Sequence, residues 1–98
     1  MQVRVRGHKW ELVFMERLPS GAAGECDDVS TPRKAIWIAT QQRSVDILDT
    51  VIHELLHAAL PDLCEETILE TATDLAKILT RLGAKLELPS PTNNDKPA

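Results

Sequence analysis

The segment Val51-Ile-His53-Glu54-Leu-Leu-His57-Ala sets two imidazoles four residues apart, with a carboxylate directly after the first. In an α-helix, at about 100° per residue, His53 and His57 lie about 40° apart on one face and a turn apart along the axis. Two imidazoles so placed can bind one Zn²⁺ through ring nitrogens at about 2.0–2.1 Å. Glu54, offset by about 60° from His57, can flank the ion without binding it, within reach of a metal-bound water. Zinc lowers the pKa of that water towards about 7, and the carboxylate can take its proton. This chemistry needs a glutamate directly after the first histidine, not merely an acid somewhere.

The surrounding sequence must supply the helix, and it does. With His53 at 0°, Ile47, Leu48, Val51, Ile52, Leu55, Leu56, Ala58 and Ala59 cover about 120–300° of the wheel. The histidines therefore point away from the packing face, towards a cleft. Ser44 serves as a plausible N-cap, and Pro61 stops the helix near Leu60. Asp62-Leu-Cys-Glu65 has the spacing of a capping box and opens a second helix, which runs to about Leu82 with Gly83 as its stop. Ile68, Ala72, Leu75, Leu79 and Leu82 fall on one apolar stripe of that helix.

Upstream, residues 2–14 read as a β-hairpin. Val3 and Val5 alternate with arginines, Trp10, Leu12 and Phe14 alternate with Glu11 and Val13, and Gly7-His8-Lys9 forms the turn. Residues 16–34, rich in Pro, Gly, Ser and Asp, read as a loop, long enough in so small a chain to expect a function for it. The run 35–39, AIWIA, is a third strand. The order β-β-β-α-α predicts a small α+β domain, a three-stranded sheet packed on two helices. It spans residues 1–88 as a single domain, with 89–98 expected as a disordered, Pro-rich tail.

Ninety-eight residues allow one modest domain, whose limited core a metal or a partner would support. No apolar run approaches the ~20 residues of a membrane span. The start, MQVRVRGHKW, has no apolar h-region, so the expectation is a cytoplasmic protein without a signal peptide. Cys26 and Cys64 cannot build a disulfide framework and fit a reducing compartment. The net charge is −4. Residues 1–43 carry seven Lys/Arg against five Asp/Glu, and residues 44–98 carry four against ten. Without a basic stripe, and with 3% aromatic residues, nucleic-acid binding is not expected.

His53-Glu54-Leu-Leu-His57, followed by an acid-bearing second helix, resembles the zincin metallopeptidases. It is closest in pattern to a minimal gluzincin, including the small ImmA/IrrE-type relatives. The resemblance covers about residues 35–82. It implies zinc held by both histidines, Glu54 as general base, and a glutamate of the later helix as third protein ligand. The metzincin pattern is absent, because Leu63 stands where its third histidine would be. No Tyr exists to stand beside an oxyanion.

The second helix offers four acids. With Ile68 at 0°, Glu66 falls at about 160°, at the edge of the packing face, and takes first place as third ligand. Glu70, at about 200°, points furthest from the core but matches the histidines best in level. Glu65, at about 60°, lies inside the apolar face and is tied to the Asp62 cap. Asp74, four residues after Glu70, is the fourth acid, and Asp62, at the cap, is a further alternative. Other residues carry less. His8 reads as a surface residue, Cys26 as an ordinary loop thiol, Cys64 as core, and Trp10 and Trp37 as sheet packing. Arg33 and Lys34 read as turn charges rather than oxyanion donors.

The leading expectation is a zinc metalloendopeptidase that hydrolyses a peptide or protein substrate. Zinc would be held by His53, His57 and Glu66, with Glu54 as base, and strand 35–39 would pair with the extended substrate. The alternative is a zinc-stabilised binding or regulatory module without turnover, against which the presence of Glu54 argues.

Overall fold

The computed structural model describes residues 1–89. Its elements are β1 (Gln2–Val5), β2 (His8–Met15), β3 (Gly24–Cys26), β4 (Ala35–Ala39), α1 (Ser44–Ala59) and α2 (Glu65–Arg81). The α+β class is as expected, but the sheet has four strands, in the order β1-β2-β4-β3. The expectation of a disordered tail falls, from residue 90 onwards, outside the described residues.

The N-terminal hairpin turns one residue earlier than expected. Val5 pairs with His8, and the two turn residues Arg6 and Gly7 both have positive φ, 49° and 82°. That pair of angles suits the right-handed twist of a two-residue hairpin, and glycine adopts the second without strain. Arg6 also reaches the far end of α1, its Nη1 donating to Ala59 O at 2.8 Å. A cation there complements the helix dipole.

β2 and β4 run parallel, with Leu12 opposite Ile36 and Phe14 opposite Ile38. A parallel pair needs a crossover of about a dozen residues or more, and that is what the long segment 16–34 supplies. It is not featureless. Gly24, Glu25 and Cys26 pair antiparallel with Ile38, Trp37 and Ile36 as the edge strand β3. Three residues with Gly and Glu among them carry too little apolar alternation to stand out as a strand. The rest of the segment is pinned by side chains: Asp27 Oδ2 accepts from Ala35 N at 2.9 Å, and Asp28 Oδ1 accepts from Ser30 N and Oγ, each at 2.8 Å.

The core lies between one sheet face and α1. Trp10, Leu12, Phe14, Ile36 and Ile38 meet Ile47, Val51 and Ala58 there. On the other face Met15, Leu18, Ala35, Trp37 and Ala39 form a second cluster, with Leu18 contributed by the crossover. β4 is thus covered on both faces and flanked on both edges, which explains its unbroken apolar run.

Both helix starts differ from expectation. α1 is preceded by Arg43 as N-cap, making Ser44 the first helical residue. Arg43 Nε instead pairs with Asp46 Oδ2 at 2.8 Å. α2 has Cys64 as its N-cap, without a side-chain cap hydrogen bond; Cys64 Sγ lies 3.1 Å from Thr67 Oγ1, and the Asp62 capping box does not form. Cys64 is accordingly exposed rather than part of the core. The C-terminus follows the expected pattern: Gly83 has φ 87°, Gly83 N donates to Thr80 O and Ala84 N to Leu79 O. These are the paired bonds of a Schellman motif.

Candidate metal centre

α1 and α2 form a helical hairpin joined by residues 60–64. At its closed end the two histidines of α1 meet the first residue of α2. His53 Nε2 and His57 Nε2 are 3.2 Å apart. Glu65 spans both, with Oε1 2.8 Å from His53 Nε2 and Oε2 2.8 Å from His57 Nε2. His53, His57 and Glu65 are close enough to hold one metal ion, their ligand atoms all lying within 4.8 Å of one another.

The donor set suits that role. Two ring nitrogens aimed at each other and at one carboxylate are acceptors facing acceptors unless a proton or a cation stands among them. Tetrahedral zinc with bonds of about 2.0–2.1 Å would set its ligand atoms about 3.3 Å apart. The observed separations are already near that. The side chains of His53 and His57 are 16% and 29% exposed and that of Glu65 is 64% exposed, so the group opens to solvent on the α2 side.

The third member of the group is Glu65 and not Glu66. Glu66, Glu70 and Asp62 are all exposed and stand outside the group. By helical phase Glu65 lies inside the apolar face of α2, and that is the face turned towards α1. The expected Asp62 capping box, which would have engaged Glu65, does not form. With Cys64 as N-cap, Glu65 is free to reach across the hairpin.

Among the described residues Glu54 is the one charged residue in the buried set, 7% exposed. Its Oε1 is 4.0 Å from His53 Nε2, beside the convergent groups rather than among them. Burial raises its carboxyl above the ordinary carboxylate range, opposed by His53 and His57 and reinforced by Glu65 and Glu25. Its packing depends on β3. A methyl group on Gly24 would lie 2.7 Å from Thr50 Cγ2 and 2.9 Å from Glu54 Cγ, so only glycine lets the edge strand pass this close to α1.

A groove of about 370 Å³ runs between β3 and the helices, lined by Ala23, Gly24, Asp46, Asp49, Thr50, His53, Glu54 and Leu69. Gly24, Asp46 and Asp49 were not singled out in the sequence. A signal for the aspartates existed, since Asp46 and Asp49 fall within about 40° of His53 on the α1 wheel. Asp49 Oδ2 also accepts from Thr73 Oγ1 at 2.9 Å, tying the two helices.

The expected substrate strand is corrected. β4 has β2 and β3 on its two sides and therefore no open edge. β3 has one. Asp27 N donates to Ala35 O and Ala39 N to Ala23 O, so residues 23, 25 and 27 face β4. The backbone groups of Gly24 and Cys26 turn to the outside.

The remaining candidates are not among the convergent ligands. His8 is exposed at the start of β2. Lys34 Nζ sits 5.5 Å from the Trp10 ring centroid, and Arg33 is an exposed turn residue with φ 52°. Trp10 and Trp37 are buried on opposite faces of the sheet. Cys26 lines a hollow with His57 and Pro61. Burial, with Glu54, Asp27 and Asp28 nearby, pushes its thiol pKa up to about 12. Among the described residues no helix is long and apolar enough to cross a membrane. Compared with protein-family models, with curated proteins and with solved structures, the chain finds no match.

Proposed function

We propose that this protein is a minimal zinc-dependent metallopeptidase of the zincin kind. The observation that carries the proposal is the convergence of His53, His57 and Glu65, with Glu54 buried directly beside them. Zinc in that position would supply Lewis acidity, polarising a carbonyl and bringing the pKa of a water down towards about 7.

The chain's own residues do the rest. Glu54 accepts a proton at a carboxylate oxygen and returns it to the leaving amine. Its enclosure under Gly24 holds it in one position. The outer edge of β3, rather than β4, offers the Gly24 and Cys26 backbone groups to an extended peptide, which lies along the groove as an added strand. A purely structural zinc site has no need of a buried general base next to two histidines.

Glu54→Gln tests the proposal. The variant keeps its metal content, since Glu54 is not among the convergent ligands, and loses about 10²–10⁴-fold in cleavage of a fluorogenic peptide library. Wild-type protein that binds zinc and cleaves no peptide in the library would sink the peptidase reading and leave a zinc-stabilised binding module. A Glu54→Gln variant as fast as wild type would remove Glu54 as the base.

A further inference from the structure

α2 rests on α1 through Ile68, Ala72 and Ala76, each no more than 2% exposed. The expected stripe continued through Leu75, Leu79 and Leu82, yet these are 39%, 37% and 77% exposed, and Ile78 is 51% exposed. Thr71, Leu75, Ile78 and Leu82 follow one another at steps of four, three and four residues, the spacing of a helix–helix seam. Thr71 is polar and half-buried, and the contiguous exposure of Leu75, Ile78 and Leu82 marks an interaction surface.

The charges on α2 identify what fits it. Glu65, Glu66, Glu70 and Asp74 occupy its first ten residues, and Lys77 and Arg81 follow, with Lys85 beyond. Asp74 immediately precedes Leu75 and Arg81 immediately precedes Leu82, so the two lie one heptad apart on the same flank of the seam. The surface is therefore complementary to itself when turned end for end.

We infer that α2 pairs antiparallel with α2 of a second copy of this chain, about a two-fold axis. Leu75 packs on Ile78 of the second copy, Thr71 on its Leu82, and Asp74 meets its Arg81; symmetry repeats each contact. Flanking charges set the orientation of such seams. A parallel arrangement sets acidic end against acidic end, which is costly.

The helix dipole by itself also favours acids at the start of α2 and bases at its end, so a charge reversal separates the two roles. Sedimentation of the full chain over a range of concentrations gives a mass rising from 10.9 kDa to twice that value. Ile78→Lys abolishes the rise while circular dichroism stays unchanged. Leu82→Lys, at the most exposed seam position, provides the same readout should Ile78→Lys lower the helix content. Asp74→Lys and Arg81→Glu each weaken association by about tenfold or more, and the double reversal restores it. The dipole role alone makes the double reversal worse than either single one.

A dimer indifferent to both Ile78→Lys and Leu82→Lys, or a double reversal weaker than both single variants, overturns the inference. So does a chain that stays monomeric at about 1 mM, a concentration that populates even weak specific dimers. That last outcome would give the face to another segment of this chain or to a different protein.

Discussion

Glu65 and Glu66 are neighbours in the chain, yet their side chains leave α2 about 100° apart, and one of them meets two histidines while the other meets water. Glu65→Ala should therefore lower zinc affinity by more than about 100-fold, the upper range for loss of an outer-sphere partner. Glu66→Ala should leave it within a small factor. Competition titration against a fluorescent chelator checks the order, and a larger effect at Glu66 would remove Glu65 from the site. The two thiols should also part company. Cys64 is exposed and its pKa is lowered by Thr67, whereas Cys26 is held up at about 12. Iodoacetamide at pH 8 should label Cys64 first, and peptide mapping would show it. The Cys26 shift has a consequence for stability, with a definite sign. Below about pH 9 the thiol is protonated whether folded or unfolded, and nothing is gained or lost. Between about 9 and 12 the unfolded thiol releases its proton while the folded one keeps it, so stability falls as pH rises. Cys26→Ala should flatten the alkaline side of the melting-temperature profile relative to wild type.

Among the elements, β3 is the smallest and the most exacting. Its three residues close the sheet and roof Glu54, and Gly24 makes that approach possible. Gly24→Ala forces a methyl group into contacts under 3.0 Å with Thr50 and Glu54. Overpacking of this kind costs about 1–3 kcal/mol, read as a shift of the urea midpoint with an unchanged slope. A midpoint that stayed in place would mean that β3 moves freely away from α1. Peptide hydrolysis should fall further than stability does, because the displaced group is Glu54 itself. α2 is the less anchored helix. Three buried residues, the Thr73–Asp49 bond and the Glu65 contacts with His53 and His57 join it to α1, and its other flank carries the exposed seam.

On the scale of the whole molecule, the candidate metal centre joins the two helices at the closed end of their hairpin. Metal binding should therefore report as global stability. Zinc at a hundredfold excess over Kd stabilises a protein by about 2.7 kcal/mol, which for a domain of this size raises the melting temperature by roughly 10–20 °C. A chelator should reverse the shift, and His53→Ala should abolish it. If zinc left the melting temperature of wild-type protein unchanged, the convergent group would not be a metal site. Amide exchange should localise the effect to the first turns of α2, where Glu65 stands.

Period and punctuation carry much of this molecule. The 3.6-residue apolar period around His53 marks α1 and puts both histidines on its free face. Alternation over Trp10, Leu12 and Phe14 marks β2, and Gly83 marks the end of α2, because each of these signals is local and survives without knowledge of neighbours. Contacts between elements are not local. Whether β4 has an open edge depends on β3, which is three residues long and pairs with it from across the chain. Glu65 and Glu66 stand about 100° apart wherever α2 begins, and only the way α2 lies on α1 decides which of them meets the histidines. Leu75, Leu79 and Leu82 match the period of a buried stripe, yet α1 is placed to cover only Ile68, Ala72 and Ala76. Periodicity reveals which face of a helix is apolar; only packing decides how much of that face the same chain can cover.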